Sequence, residues 1–247
     1  MRYDTAEISL IGDRSENQDR VAVVRRSNGV LLVVVDGMGG HSDGKRAAEV
    51  ATNSLAETFA GAPRDISEPA RFLTEAVILA HQAVVEIGVG VSVEDKPRAT
   101  CAACLVLDNQ AWWAHVGDSR VYLLRNGTVV HRTRDHSHVE VLLRDGLITE
   151  DEVAGHPMRH YVESCLGGES ALPELGEPGV TGLEAGDVLM VCSDGLWSGV
   201  PDEHIAATVN GSDRLEQWLG RLSDRAVSVN APYSDNTTAA ALRVSVG

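Results

Sequence analysis

Basic charge is scarce in this chain. Its 21 lysines and arginines face 36 aspartates and glutamates, a net charge of −15 over 247 residues. That balance gives no general attraction to nucleic acid or to an anionic membrane surface, so neither is an expected partner. Long apolar runs are missing too. The run at 30–35 is far too short to cross a bilayer, and no longer candidate exists. The first ten residues carry Arg2, Asp4 and Glu7 and lack the apolar stretch of a leader. A soluble cytoplasmic protein is the expectation. Cysteine is limited to Cys101, Cys104, Cys165 and Cys192, and nothing argues for disulfides. Cys101 and Cys104 form a CxxC, but they open an apolar run to Leu107 that reads as a strand. An odd offset on a strand sends the two thiols to opposite faces. With no second CxxC or CxxH nearby, two ordinary buried cysteines are expected in place of a redox or zinc pair. Solenoid repeats, low-complexity tracts and the GxSxG elbow of serine hydrolases are absent as well.

What is present is a composition that buries a core, 43% hydrophobic, over a length that suits one substantial domain. Strands are expected at 6–10, 19–25 and 30–35. Helical periodicity follows at 45–59, where Ala47, Val50, Ala51, Leu55 and Phe59 share a face, and again at 69–87. Strand-like runs at 100–107, 110–116, 119–125 and 128–133 then succeed one another with very short connections. Asn126-Gly127 asks for a type I′ hairpin, and links this short favour antiparallel neighbours. A helix is expected at 137–145, a loop at 176–182, a strand at 187–192, helices at 202–209 and 213–227, and a closing strand at 237–244. The order is not an alternating βαβ, so the expected fold class is an antiparallel α+β domain. No linker is visible, and 1–247 reads as one domain.

Several apolar strands run into an aspartate beside glycine: Asp36-Gly37, Gly117-Asp118 and Asp194-Gly195. Asp235-Asn236 stands just before the last strand. A strand end is a rigid mount for a carboxylate, and glycine lets the backbone approach closely. Mg²⁺ and Mn²⁺ take oxygen ligands in octahedral geometry and keep waters, so a few aspartates and a carbonyl suffice. Each Asp-Gly taken alone reads first as an ordinary turn, and it is several of them with glycine-rich neighbours that favour cation ligands. His41, in Asp36-Gly37-Met38-Gly39-Gly40-His41, is either a structural histidine or, beside a metal-binding carboxylate, a general acid. Arg14 is either one half of a surface ion pair or a fork for phosphate. Residues 39–45 match most of a P-loop. However, Arg46 stands where Ser or Thr should hold Mg²⁺, and Asp43 would place negative charge in a phosphate cradle. The dinucleotide fingerprint fails at Ser42.

Taken together, Arg14-Ser15-Glu16-Asn17-Gln18-Asp19, residues 35–41, Gly117-Asp118-Ser119-Arg120, Asp135-His136-Ser137, Leu166-Gly167-Gly168, Ser193-Asp194-Gly195-Leu196 and Asp235-Asn236 resemble the metal-dependent, type 2C serine/threonine protein phosphatases in their compact bacterial form. The resemblance covers nearly the whole chain. It implies two stacked antiparallel β-sheets flanked by α-helices, with Mn²⁺ or Mg²⁺ at one edge of the sandwich. There would be two ions, and a third in bacterial members. By the same resemblance Asp36 bridges two metals, the Gly37 carbonyl binds one of them, and Asp194 and Asp235 bind the other. Asp118 helps hold the third. Arg14 binds the substrate phosphate, His41 protonates the leaving oxygen, and Asp19 supports the ligands from behind. The implied activity is hydrolysis of phosphoserine and phosphothreonine in proteins by a metal-bridging water, with no phosphoenzyme. The implied partners are phosphoproteins and a cognate Ser/Thr kinase, and the expected state is a monomer. Residues 145–186 match the family's variable flap, which shapes substrate choice. Two departures stand out: Gln18 where Glu is frequent, and Ala99-Thr100-Cys101 where Gly-Thr-Thr is usual. A phosphoprotein-binding pseudophosphatase and an NTP-binding protein using residues 39–45 are the rival readings.

Overall fold

The computed structural model describes residues 2–38, 42–153, 155–176, 178–209 and 213–245. In chain order the strands and helices begin with β1 (Arg2–Leu10), β2 (Asp19–Arg26), β3 (Gly29–Met38), α1 (Ser42–Gly61) and α2 (Pro69–Ile87). The central block is β4 (Arg98–Ala99), β5 (Cys101–Leu107), β6 (Gln110–Val116), β7 (Arg120–Arg125) and β8 (Thr128–Arg132). Then come α3 (His138–Arg144), α4 (Glu150–Val153), β9 (Leu166–Gly167), β10 (Gly179–Gly182) and β11 (Val188–Cys192). The chain closes with α5 (Asp194–Trp197), α6 (Asp202–Ala207), α7 (Leu215–Asn230) and β12 (Thr237–Ser245).

Two sheets form, one of five strands in the order β1-β12-β11-β7-β8 and one of seven built around β3, β5 and β6. Among the described residues, the strands within them pair antiparallel throughout. Their inner faces meet through Leu32, Val34, Cys104, Val121, Leu189 and Leu242. The outer face of the seven-stranded sheet is covered by α1 and α2 through Leu31, Val33, Leu55, Phe59 and Val77. The outer face of the five-stranded sheet carries Trp218, Leu219 and Leu222 of α7. This four-layer stack explains why β3 and β11 are apolar at successive positions: both faces of each are buried. It also separates the CxxC, as the strand reading requires. Cys101 lies in the helix-side core and Cys104 between the sheets. Burial pushes both thiols up to about 12, which leaves them unreactive.

The hairpin signal at Asn126-Gly127 is realised with φ of 51° and 76°, and Asp108-Asn109 makes the same kind of turn between β5 and β6 with φ of 44° and 65°. One expectation needs correcting. Residues 179–182, read as loop, form β10 and pair with β6 in the register Gly179↔Trp113. The Trp113 indole fills the space a Gly179 side chain would take. The strand therefore needs glycine where a sequence reading looks for alternating apolar residues.

Candidate metal centre and active site

Position along the strands dictates what meets at the upper edge of the sandwich. Asp36 sits near the end of β3, directly opposite Asp19 in β2. Asp194 opens α5 immediately after β11, Asp118 lies in the link between β6 and β7, and Asp235 precedes β12. Arg14, Asp36, Asp118, Asp194 and Asp235 line one cleft of about 800 Å³. Asp19 is buried just beneath, 2% exposed.

Burial and mutual repulsion dominate the electrostatics here. Desolvation, then Asp19, Asp194, Asp118 and Asp235, hold the Asp36 carboxyl well above the usual carboxylate range. Asp118 is raised for the same reason, first by burial and then by Asp194 and Asp135. Burial lifts Asp19 to about 7, although Ser193 and Thr238 hydrogen bonds oppose the shift. Ser193 Oγ donates to Asp19 Oδ2 at 2.7 Å. Negative charge packed this closely calls for cations. Among the described residues, no three Asp, Glu, His or Cys side chains close on one point. The acidic lining of the cleft is carboxylate oxygen, which suits hard ions such as Mg²⁺ and Mn²⁺ that take oxygen ligands and retain waters.

Arg14 forms the ion pair that the sequence left open, and it also lines the cleft. It is paired with Asp235, Nη2 to Oδ2 at 2.6 Å, and it stands at the cleft with its side chain 57% exposed. Its loop is pinned to the segment that leads into β12. Ser234 donates Oγ–H and N–H to Asp13 Oδ2 at 2.7 and 3.0 Å, and these bonds hold the Asp13 carboxyl below its ordinary range. Asn236 Nδ2 donates to the carbonyls of Ile11 and Glu16, while its Oδ1 accepts from the Gln18 amide. Gly37 follows Asp36 directly in β3. Its amide bonds the Gln18 carbonyl at 3.3 Å, and its backbone packs on Gly44 in the first turn of α1, too close for a side chain on either. Lys45, the lysine of the P-loop-like stretch, pairs with Glu16 at 3.3 Å. His41 lies outside the described residues.

Sequence reasoning missed the supports. Ser193 and Asn236 were legible as motif members but not as struts. Arg159 and His160 line the cleft from the 145–186 segment, with His160 Nδ1 3.6 Å from Asp194 Oδ2. Nothing local in the sequence points them there.

Comparison with known proteins gives the same result from another direction. The family model for protein phosphatase 2C matches residues 9–231. Protein phosphatase PhpP of Streptococcus pneumoniae is 31% identical over 245 residues, covering 95% of this chain and 96% of that protein. The serine/threonine phosphatase of S. agalactiae superposes with a TM-score of 0.88 at 29% identity, over 98% of this chain and 100% of that one. The catalytic domain of the serine/threonine protein phosphatase PstP, solved in complex with two manganese ions, gives a TM-score of 0.83 at 28% identity over 99% of each chain. With these strands, this cleft and these matches, the chain belongs to the protein phosphatase 2C family.

Proposed function

We propose that this chain is a metal-dependent protein phosphatase that hydrolyses phosphoserine and phosphothreonine in proteins. The observation that carries the reading is the convergence of Asp36, Asp118, Asp194 and Asp235, from separate strand ends, on one cleft with Arg14 at its wall. Asp36 would be shared between two Mn²⁺ or Mg²⁺ ions, with the Gly37 carbonyl, Asp194 and Asp235 completing their protein ligands and Asp118 serving a third ion. When bound, the ions supply an activated water at neutral pH and neutralise charge on the phosphate. Asp19, anchored by Ser193, holds negative charge behind Asp36. Arg14 exchanges its contact with Asp235 for the substrate phosphate, which its planar fork grips and orients. The role of His41 as the acid that protonates the leaving oxygen rests on the family motif.

One catalytic domain over 1–247, with 145–186 acting as a flap, is consistent with Arg159 and His160 of that segment reaching the cleft. No helix among the described residues is long and apolar enough to cross a membrane. We place the protein in the cytoplasm, in signalling, as a monomer opposite a cognate Ser/Thr kinase.

Arg14→Ala tests the phosphate-binding role. Loss of charge-assisted hydrogen bonds, each about 1.5–3 kcal/mol, should lower kcat/KM on a phosphothreonine peptide about 10–100-fold. Mn²⁺ binding measured by calorimetry should persist. Unchanged kcat/KM would remove Arg14 from the mechanism.

A further inference from the structure

Four polar groups of the link that carries Asp118 are tied down. Gly117 N–H donates to His136 Nδ1 at 3.2 Å, and the His136 amide returns a bond to the Gly117 carbonyl at 2.8 Å. Ser119 Oγ and Thr100 Oγ1 share a hydrogen bond of 2.7 Å. The carbonyl of Asp118 itself accepts from the indole N–H of Trp197, at 2.9 Å.

Trp197 is in turn held by Arg120. The guanidinium carbon lies 3.6 Å from the centre of the indole ring. Its fork is fixed from the other side, because Nε and Nη2 bond the two oxygens of Asp135, both at 2.7 Å. Arg120 and Asp135 side chains are only 11% and 9% exposed, so this is a packed cation–π and ion-pair stack. Trp197 is also the last residue of α5, the helix that Asp194 opens. Trp197 thus joins the link that carries Asp118 to the short helix that carries Asp194.

We propose that Trp197, clamped by Arg120, is a positioning residue for Asp118 and sets the affinity of the ion that Asp118 holds. The proposal rests on the reading of Asp118 as an ion ligand. Partners that orient a metal ligand from outside the coordination shell are worth about 10–100-fold in metal affinity. Trp197→Phe keeps a ring face for Arg120 and deletes the donor to Asp118, together with part of the indole's packing.

The test is calorimetric titration of Mn²⁺ into wild type, Trp197→Phe, Asp118→Asn and the double variant, with Mn²⁺ activation of phosphopeptide hydrolysis read alongside. Asp118→Asn should weaken or remove one binding step. Trp197→Phe should weaken that same step about tenfold and leave KM for peptide unchanged at saturating Mn²⁺. In the Asp118→Asn background it should add nothing, because coupled residues are not additive. Should Trp197→Phe fail to fold, Arg120→Lys, which loses the two-pronged grip on Asp135, carries the same comparison. An equal loss in both backgrounds, or a wild-type titration for Trp197→Phe while Asp118→Asn is impaired, overturns the proposal alone. A wild-type titration for Asp118→Asn overturns the ligand reading, and the proposal with it.

Discussion

Asp36→Asn should separate stability from activity in opposite directions. Asp36 is the carboxylate on which the others converge, raised by burial and by repulsion from Asp19, Asp194, Asp118 and Asp235. In the metal-free chain its charge is a liability, and a neutral amide of the same shape relieves it. The variant should therefore melt at a higher temperature than wild type in chelator near neutral pH. With Mn²⁺ present the ranking should reverse, since a shared ligand is gone. Phosphopeptide hydrolysis should fall by more than about 10³-fold, beyond the roughly 10–100-fold cost of losing an outer partner. Full activity in Asp36→Asn would remove it from the centre of the site.

The second large effect is on the linkage between metal, pH and stability. Asp19 is raised from 3.8 to about 7, and Asp36 and Asp118 are also raised. A carboxyl whose folded pKa exceeds its unfolded one binds more protons in the folded state. Stability is then greatest below the unfolded value and falls as pH climbs to the folded one. The metal-free chain should accordingly lose stability between about pH 4 and about pH 7. Divalent ions replace those protons. At a free Mn²⁺ concentration about a hundred times Kd, binding contributes about 2.7 kcal/mol per site, or about 5–10 °C in Tm for a chain of this size. The gain should appear near neutral pH and shrink towards pH about 5, where protons compete for the same oxygens. Scanning calorimetry in Mn²⁺ and in chelator across that range measures it. A Tm that ignores Mn²⁺ at every pH would mean that these carboxylates hold no ion.

How much of this was legible in the sequence depended on whether the determinant was local. β3 could be read because residues 30–35 are continuously apolar and end at Asp36, and the four-layer stack buries both faces of that strand. Asn126-Gly127 fixed its own turn through backbone sterics. The aspartates of the cleft were legible because Asp36, Asp118 and Asp194 stand at or just after the end of an apolar strand and Asp235 just before one. β10 was not, since its glycine answers to the indole of Trp113, far away in sequence. The same holds for the bond from Ser193 to Asp19, which spans 174 positions, and for the bond from Trp197 to Asp118, which spans 79. Such supports belong to the packing of two sheets, and no window of sequence contains both partners.

The most direct measurement is phosphate release by the wild-type chain from phosphoserine, phosphothreonine and phosphotyrosine peptides in Mn²⁺, in Mg²⁺ and in chelator. The account predicts turnover of the phosphoserine and phosphothreonine peptides with either ion, a fall to background in chelator, and recovery when Mn²⁺ is returned. Turnover indifferent to chelator, or none from the folded chain with either metal, would contradict it.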